Sequence, residues 1–396
     1  MNQFYWPDAA ATSQYLTDLT RYLASQGHDI EVVCGDSSYA QVAAEEEPPA
    51  KVHRISCLRF SSGMAPRMFS YASFFFGALW AGFRVPAPDV VVTLTTPPML
   101  SVIGTLLKKF RGVKHFIWEM DLFPEALVDV GMAKPDSRMI SLLGHIADWS
   151  RLRSDGVIAL GSCMRRRLMD RGIPACKIHT AENWADGTQI RPLPPQESGP
   201  LTVLYSGNLG RSHDIDTILY AMQQLNSDPR FHFHFVGDGP RRKDVVDFSQ
   251  KNGLANVSLA PYCPRDEISA NLASGDIGLV TQRDSCSGTV VPSKVYGLLA
   301  AGRPILYIGP RDSTPAEIIR RFDCGWQIDC GDGEAVVELL RELDSNRHRI
   351  TAAGARARTA FLEHYDLPQG VARICAIIAE PVAVPAPYVP PLAERV

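Results

Sequence analysis

Short apolar, β-branched runs alternate with stretches of helical period along the whole chain. In the first half the runs IEVVC (30–34), VHRIS (52–56), VVVTL (90–94), KHFIW (114–118), GVIAL (156–160) and KIHTA (177–181) predict strands. In the second half LTVLYS (201–206), FHFHFV (231–236), NVSLA (256–260), IGLVT (277–281), PILYI (304–308) and GWQID (325–329) do the same. Several are almost continuously apolar, the pattern of strands buried on both faces of a parallel sheet. Helical patterns lie between them, such as YLTDLTRYLASQG, which stops at Gly27. Strands and helices in alternation predict doubly wound α/β domains. The proline-rich segment IRPLPPQESGP (190–200) breaks the pattern near the middle and predicts a linker. The expected division is a first domain over 1–190, a linker over 191–200 and a second domain over 201–370. A C-terminal helix from 371 is expected to pack back toward the first domain, ahead of a proline-rich tail ending at 396.

A chain of 396 residues can bury two cores of ordinary size. Its 40 basic and 43 acidic side chains give a net charge of −3, which argues against a nucleic-acid binder. The charge is unevenly spread. Lys51 to Trp118 holds nine basic residues and one acid, a surplus of eight positive charges, so the rest of the chain carries −11. Such asymmetry predicts an anionic partner on one side of the molecule. The nine cysteines are odd in number, with no CxxC and no zinc spacing, which suits a reducing cytoplasm. MNQFYWPD has neither the basic region nor the apolar core of a signal peptide, so none is expected.

In open α/β sheets, ligands sit at the carboxyl ends of the strands. Two glycine-bearing loops follow strands of the second half, SGNLGRSHD (206–214) and GDGPRR (237–242). Glycine there allows close backbone approach to an anion such as a diphosphate, although either string alone also suits a plain turn. The dehydrogenase fingerprint GxGxxG is absent. In the basic region, RMFSYASFFFGALWAGFR (67–84) places 16 uncharged residues, rich in aromatics, between two arginines. As a helix it would be about 27 Å long, short for a membrane span and weakened by Gly77 and Gly82. It predicts a core helix of the first domain, an interfacial helix on an anionic membrane, or both on different faces. The residues assigned to a membrane and acceptor face are Arg67, Phe74, Phe75, Trp80 and Arg84, with Lys108 and Lys109 of LLKKFRGVK.

The ordered set of strings resembles the family 4 glycosyltransferases, which have the GT-B fold: two Rossmann-like domains facing across a cleft. It includes NQFYWPDAAATSQYLTDLTRYLASQGHDIEVVCG, TLTTPPML, WEMDLFPEA, ALGSCMRRRL, NWADGTQIRPLP, YSGNLGRSHDIDTIL, FVGDGPRR and VVPSKVYGLLAAGRPILYIGP, and it spans nearly the whole chain. Within the family the chain is similar to bacterial enzymes of capsule, O-antigen and exopolysaccharide assembly. The resemblance implies a retaining transferase that needs no metal and no other cofactor. Its donor would be a UDP-, GDP- or dTDP-sugar held by the second domain. Its acceptor would be a polyprenyl-diphosphate-linked saccharide held by the first, on the cytoplasmic face of the membrane. Two alternatives share the fold: a nucleotide-sugar 2-epimerase, and a catalytically inactive nucleotide-sugar-binding partner.

The family's motifs carry residue roles onto this chain. Donor contacts are expected from Gly207, Asn208, Arg211, His213, Gly237, Asp238, Gly288, Thr289, Ser293, Lys294 and Tyr296. The register puts Asn208 and His213 where relatives have a diphosphate-gripping Arg and Lys. Arg211, unless it is simply a solvated loop cation, and Lys294 are the candidates to replace that charge. Thr289 and Gly297 stand where many relatives have two glutamates, for donor sugar and ribose. Met120 stands where relatives often have His. Asp121 either orients or deprotonates the acceptor hydroxyl, or it caps the next helix; Glu125 and Asp8 are the other carboxylates assigned to catalysis. Asn183, Trp184 and Asp186 are read as fixing the hinge. The residue before NQFYWPD leaves almost no room for the family's first strand, so a stub or an upstream start is expected.

Overall fold

The structure, a computed structural model, describes residues 1–8, 10–36, 48–58, 64–194 and 199–379. The expected tail and residues 195–198 of the expected linker lie outside the described residues. In the first domain the strands are β1 (Glu31–Gly35), β2 (Lys51–Ile55), β3 (Val90–Thr93), β4 (Lys114–Trp118), β5 (Gly156–Ala159) and β6 (Ile178–Thr180). Each coincides with a predicted apolar run. All pairs are parallel, in two blocks, β2-β1 and β3-β4-β5-β6. Residues 1–3 run between the blocks. Asn2 donates to Val33 O (3.2 Å), while Leu94 donates to Met1 O (3.1 Å) and Gln3 to Thr96 O (2.8 Å). Residues 1–3 therefore lie at the central strand position and join the blocks into one layer. The helices between these strands are α1 (Ala11–Ser25), α2 (Met64–Arg84), α3 (Ser101–Arg111), α4 (Glu125–Asp129), α5 (Arg138–Arg153) and α6 (Ser162–Asp170).

The second domain holds β7 (Leu201–Ser206), β8 (Phe231–Val236), β9 (Val257–Ala260), β10 (Ile277–Thr281), β11 (Ile305–Ile308) and β12 (Gly325–Ile328). They form one parallel sheet in the order β12-β11-β10-β7-β8-β9. Strand order reverses between β7 and β10, so the crevice for a ligand lies beyond the ends of those two strands. The helices are α7 (Asp216–Gln224), α8 (Arg242–Lys251), α9 (Ile268–Ala273), α10 (Lys294–Ala300), α11 (Thr314–Phe322), α12 (Gly333–Ser345), α13 (His348–Ala360) and α14 (Leu367–Ala379). β5 and β10 are buried along their whole length, which is why GVIA and IGLVT carry no polar alternation except a terminal Thr. β8 alternates instead: Phe231, Phe233 and Phe235 are buried, while His232 and His234 both bond to Ser258 Oγ on β9 (2.8 and 2.6 Å).

The chain crosses between the domains twice. The first crossing follows Trp184 and the second follows Tyr365. They are paired to each other: Ala185 donates to Tyr365 O (3.1 Å) and Gly187 to Asp366 Oδ1 (2.9 Å). After the second crossing, α14 returns to the first domain, where Val371 and Ile374 join the core around Trp118. Trp184 anchors this junction. It stacks on Trp118 (5.8 Å), meets Tyr15 edge-on (5.2 Å) and donates from Nε1 to Asp18 Oδ2 (2.9 Å). A Cβ on Gly370 would collide with its ring, so α14 lies directly against it. Trp184→Ala is expected to cost about 3–5 kcal/mol, measured by urea unfolding, through the cavity and the stranded Asp18. A loss below about 1 kcal/mol would show that the junction is held elsewhere.

Candidate active site in the interdomain cleft

The donor-side wall is built from loops after β7 and β8 and from the start of α10. Gly207 has φ +122°, and a Cβ there would lie 2.8 Å from Lys294 Cε. Gly237 (φ +126°) would clash with the Gly207 carbonyl and Gly239 (φ +134°) with Asn208 Oδ1. The three positions admit only glycine, for conformation and for space. Into this backbone surface comes Lys294. Its Nζ donates to Asn208 O (3.1 Å) and lies 5.2 Å from the centre of the Tyr205 ring. Among the described residues no carboxylate pairs with it, and burial pulls its pKa down to about 8. A partly buried ammonium without a counter-ion among the described residues, next to glycine backbone at the strand-order switch, suits an anion. Ser293 beside it faces the Tyr15 hydroxyl of α1. Asn208, Arg211 and Asp238 are exposed at the rim.

Four expected donor residues are placed otherwise. His213 is buried, with Nδ1 at 2.7 Å from Thr281 O and Nε2 at 3.3 Å from the Tyr205 hydroxyl. Burial holds its pKa down to about 3, so it is a neutral brace for the β7 loop and not a replacement cation. Tyr296 faces the core, with its ring 5.4 Å from that of Tyr365. Thr289 turns away from the donor loops: its Oγ1 donates to Asp129 Oδ2 of α4 (2.8 Å). Gly288 (φ +77°) packs against Cys163 O and Arg167 of α6. At Gly297 a Cβ would meet only Ile190 and Leu272, at ordinary contact distances.

On the acceptor-side wall, the segment after β4 carries Asp121. Its backbone forms an antiparallel bridge with Val290, and Leu122 donates to Thr289 O (2.9 Å), so this segment touches the donor domain directly. The Asp121 carboxyl caps no helix, since α4 starts at Glu125 with no side-chain cap. Burial, then the nearby charge of Glu119, raises its pKa to about 6. Glu119 itself is buried and paired through Oε1 to Arg151 Nε (2.8 Å); Arg151 also binds Asp148 and the Phe123 carbonyl. Glu125 is tied to Arg171 (3.1 Å) at the end of this ionic chain, and Asp8 accepts from Ala10 N (2.8 Å) at the start of α1. Both are tied to structural partners, whereas no side-chain hydrogen bond or ion pair among the described residues ties Asp121. Tyr71 of α2 lies close enough for Asp121 to raise its phenol further, beyond the effect of burial. Beyond the Asp121–Val290 contact the cleft opens into a cavity of about 930 Å³ between α6 and the ends of β11 and β12.

α2 presents two faces. Ser70, Phe74, Ala78 and Ala81 point inward, and Gly77 lets the helix lie on Ile55 of β2. Phe74 is thus a core residue, not part of an outer face, and Phe75 is half-buried. Lys108 is paired to Asp155 (2.6 Å) and is also removed from that face. Outward stand Phe69, Phe76, Trp80 and Phe83, with Phe110 of α3 beside them. Arg84 lies over Trp80 (4.2 Å) and Lys109 over Phe110 (5.3 Å). Among the described residues no helix is long and apolar enough to cross a membrane.

The sequence motifs did not single out Tyr205, Glu119, Arg151, Asp129 or Arg167. The three consecutive arginines of α6 were the one available signal for the last.

The raised pKa of Asp121 makes a stability prediction. The folded state favours the protonated acid, so this contribution is present below about pH 4 and is lost as pH rises through about 6. Asp121→Asn should therefore match the parent near pH 4 and be up to about 3 kcal/mol more stable at pH 7, by thermal unfolding. Equal stability at both pH values would place the carboxyl in water.

Comparisons with known proteins follow the same two halves. The profile of the glycosyl transferase 4-like domain matches residues 11–184, and that of the glycosyl transferases group 1 matches residues 188–359. The chain is 27% identical over 342 residues to WbjE of Pseudomonas aeruginosa, described as a glycosyltransferase, covering 82% of this chain and 84% of that one. It is 24% identical over 328 residues to WcaI of Escherichia coli K12, described as a colanic acid biosynthesis glycosyl transferase, covering 75% and 79%. Among solved structures, Anabaena HepE in complex with UDP-glucose superimposes with a TM-score of 0.70 at 13% identity, over 95% of this chain and 97% of that one.

Proposed function

The chain belongs to the family 4 glycosyltransferases of GT-B fold, enzymes of polysaccharide biosynthesis, and from that premise we propose its reaction and its substrates. The donor is a sugar nucleotide, whose diphosphate lies against Gly207 and Gly237 and is neutralised by Lys294. The observation that carries this reading is the unpaired Lys294 ammonium in its glycine-lined recess. UDP-glucose in the HepE complex supports a nucleotide sugar of this class. As the glycosidic bond breaks, charge builds on the leaving diphosphate, and Lys294 with the loop backbone meets it where it forms, without a metal. Asp121 accepts the proton of the acceptor hydroxyl, and the new bond keeps the configuration at the anomeric carbon. Burial, and then Glu119, holds the Asp121 pKa at about 6, so the base is ionised at neutral pH yet stronger than an ordinary carboxylate.

The acceptor is a saccharide on a lipid diphosphate, and the enzyme reaches it by resting α2 on an anionic membrane. Support comes from the outward aromatic stripe of α2 with Arg84 and Lys109 folded over its rings. Aromatic rings enter the headgroup layer while cations meet anionic lipid, at roughly 1 kcal/mol per cation. Tyr71 on the same helix stands beside Asp121, which brings the membrane-facing element to the reacting end of the cleft.

A thermal-shift screen of UDP-, GDP- and dTDP-sugars tests the donor. One of them should stabilise the protein, and Lys294→Met should weaken its binding about tenfold to a hundredfold. The affinity should also fall as pH rises through about 8, where Lys294 loses its proton. No shift with any of the three classes would overturn the reading in favour of a protein that binds no nucleotide sugar. For the membrane, the triple variant Arg67→Gln, Arg84→Gln, Lys109→Gln should sediment less with vesicles rich in anionic lipid. Undiminished sedimentation would sink the proposed face.

A further inference from the structure

The segment Asp284–Val290 of the donor domain is strapped to the acceptor domain by contacts from three sides. Arg167 of α6 donates from Nε to Ser287 O (2.9 Å) and from Nη2 to Ser285 O (3.0 Å). Asp129 of α4 accepts from Thr289 Oγ1 (2.8 Å), and its carbonyl accepts from Ser285 Oγ (2.9 Å). Arg167 also reaches the Asp129 carboxylate (3.5 Å), which closes the triangle. Gly288 takes a left-handed backbone (φ +77°) with the Arg167 side chain and Cys163 O filling the space where a side chain would be. The strap then continues into both halves of the reaction centre. Val290 bridges Asp121, Val291 enters the first-domain core, and Lys294 follows three residues later.

We propose that Arg167, Asp129 and Thr289 are positioning residues that lock this strap across the closed cleft and so set Asp121 against Lys294. This rests on the glycosyl-transfer reading above and extends it to how the two walls are aligned. None of the three need touch a substrate. Two guanidinium hydrogen bonds, to the carbonyls of Ser285 and Ser287, fix the strap's path in a plane, which a flexible ammonium would not do. The hydroxyl at 289 is needed as a donor to the Asp129 carboxylate; in this chain that position serves closure, where the family pattern led us to expect a sugar contact. A strap held on one domain and continuous with the binding lysine of the other also excludes water, which would otherwise hydrolyse the donor.

The test compares Arg167→Met, Thr289→Val and Thr289→Ser with the parent, each checked for folding by its melting curve. The expected result is that nucleotide affinity stays within about twofold, because Lys294 and the glycine loops are intact. Transfer should fall about tenfold to a hundredfold, donor hydrolysis per transfer should rise, and Thr289→Ser should restore the parent values. Small-angle scattering should show a larger radius of gyration for Arg167→Met and Thr289→Val than for the parent. If Arg167→Met fails to fold, the Thr289→Val and Thr289→Ser pair decides alone. Unchanged transfer-to-hydrolysis ratio with unchanged scattering would overturn the proposal, as would an equal loss of nucleotide affinity and transfer. A parent that binds no nucleotide sugar would sink the glycosyl-transfer reading instead, while the scattering comparison would still judge the strap.

Discussion

Every strand pair in both sheets is parallel, and the rest of the molecule follows from that constraint. A parallel strand must be re-entered from the same end, so each connection crosses back over the sheet, mostly as a helix. All loops that leave strands forward then collect on one edge of each sheet. When two such sheets face each other edge to edge, the loops form a cleft whose walls come from distant parts of the chain. Asp121 after β4, the strap after β10, the Gly207 loop after β7 and the Gly237 loop after β8 are gathered on the cleft walls for this reason. Helices on both faces also demand continuously apolar strands, which gives β5 and β10 their composition.

The two walls of the cleft are electrostatically unfinished in opposite senses. Elsewhere the first domain pairs its buried charges, as in the chain from Glu119 through Arg151, Asp148 and Arg171 to Glu125. Asp121 and Lys294 are left out of this pairing. Burial pushes each toward its neutral form, the acid upward and the amine downward. Each is therefore destabilising in the empty protein and is relieved by a ligand of complementary character. Stability given up at a site in this way is a common signature of function.

The architecture was legible because the twelve apolar runs differ so sharply from what surrounds them, and because glycine clusters mark the loops. Lys294 was legible too, as a lone cation between a proline and an apolar helix. The residues misassigned from sequence share one cause. Periodicity groups Phe74 with Ser70, Ala78 and Ala81, but it does not say that this face turns inward. Register places His213 in the phosphate loop, but not its two hydrogen bonds into the sheet. Lys108 looks like part of a basic cluster until β5's neighbour Asp155 is brought beside it. The Thr289–Asp129 and Arg167–Ser287 contacts join residues 160 and 120 positions apart, and no local pattern records such pairs.

The paired crossings at Ala185 and Asp366 deserve a mechanical reading. A single linker is a ball joint and lets a domain swing in any direction. Two strands of chain, bonded side by side, behave as the two leaves of a door hinge, with one axis of easy rotation. Such a joint restrains the donor domain more than one linker would and leaves one axis as its easiest motion. The joint thus narrows the approach of the two walls, and the strap at Asp284–Val290 fixes where that approach ends.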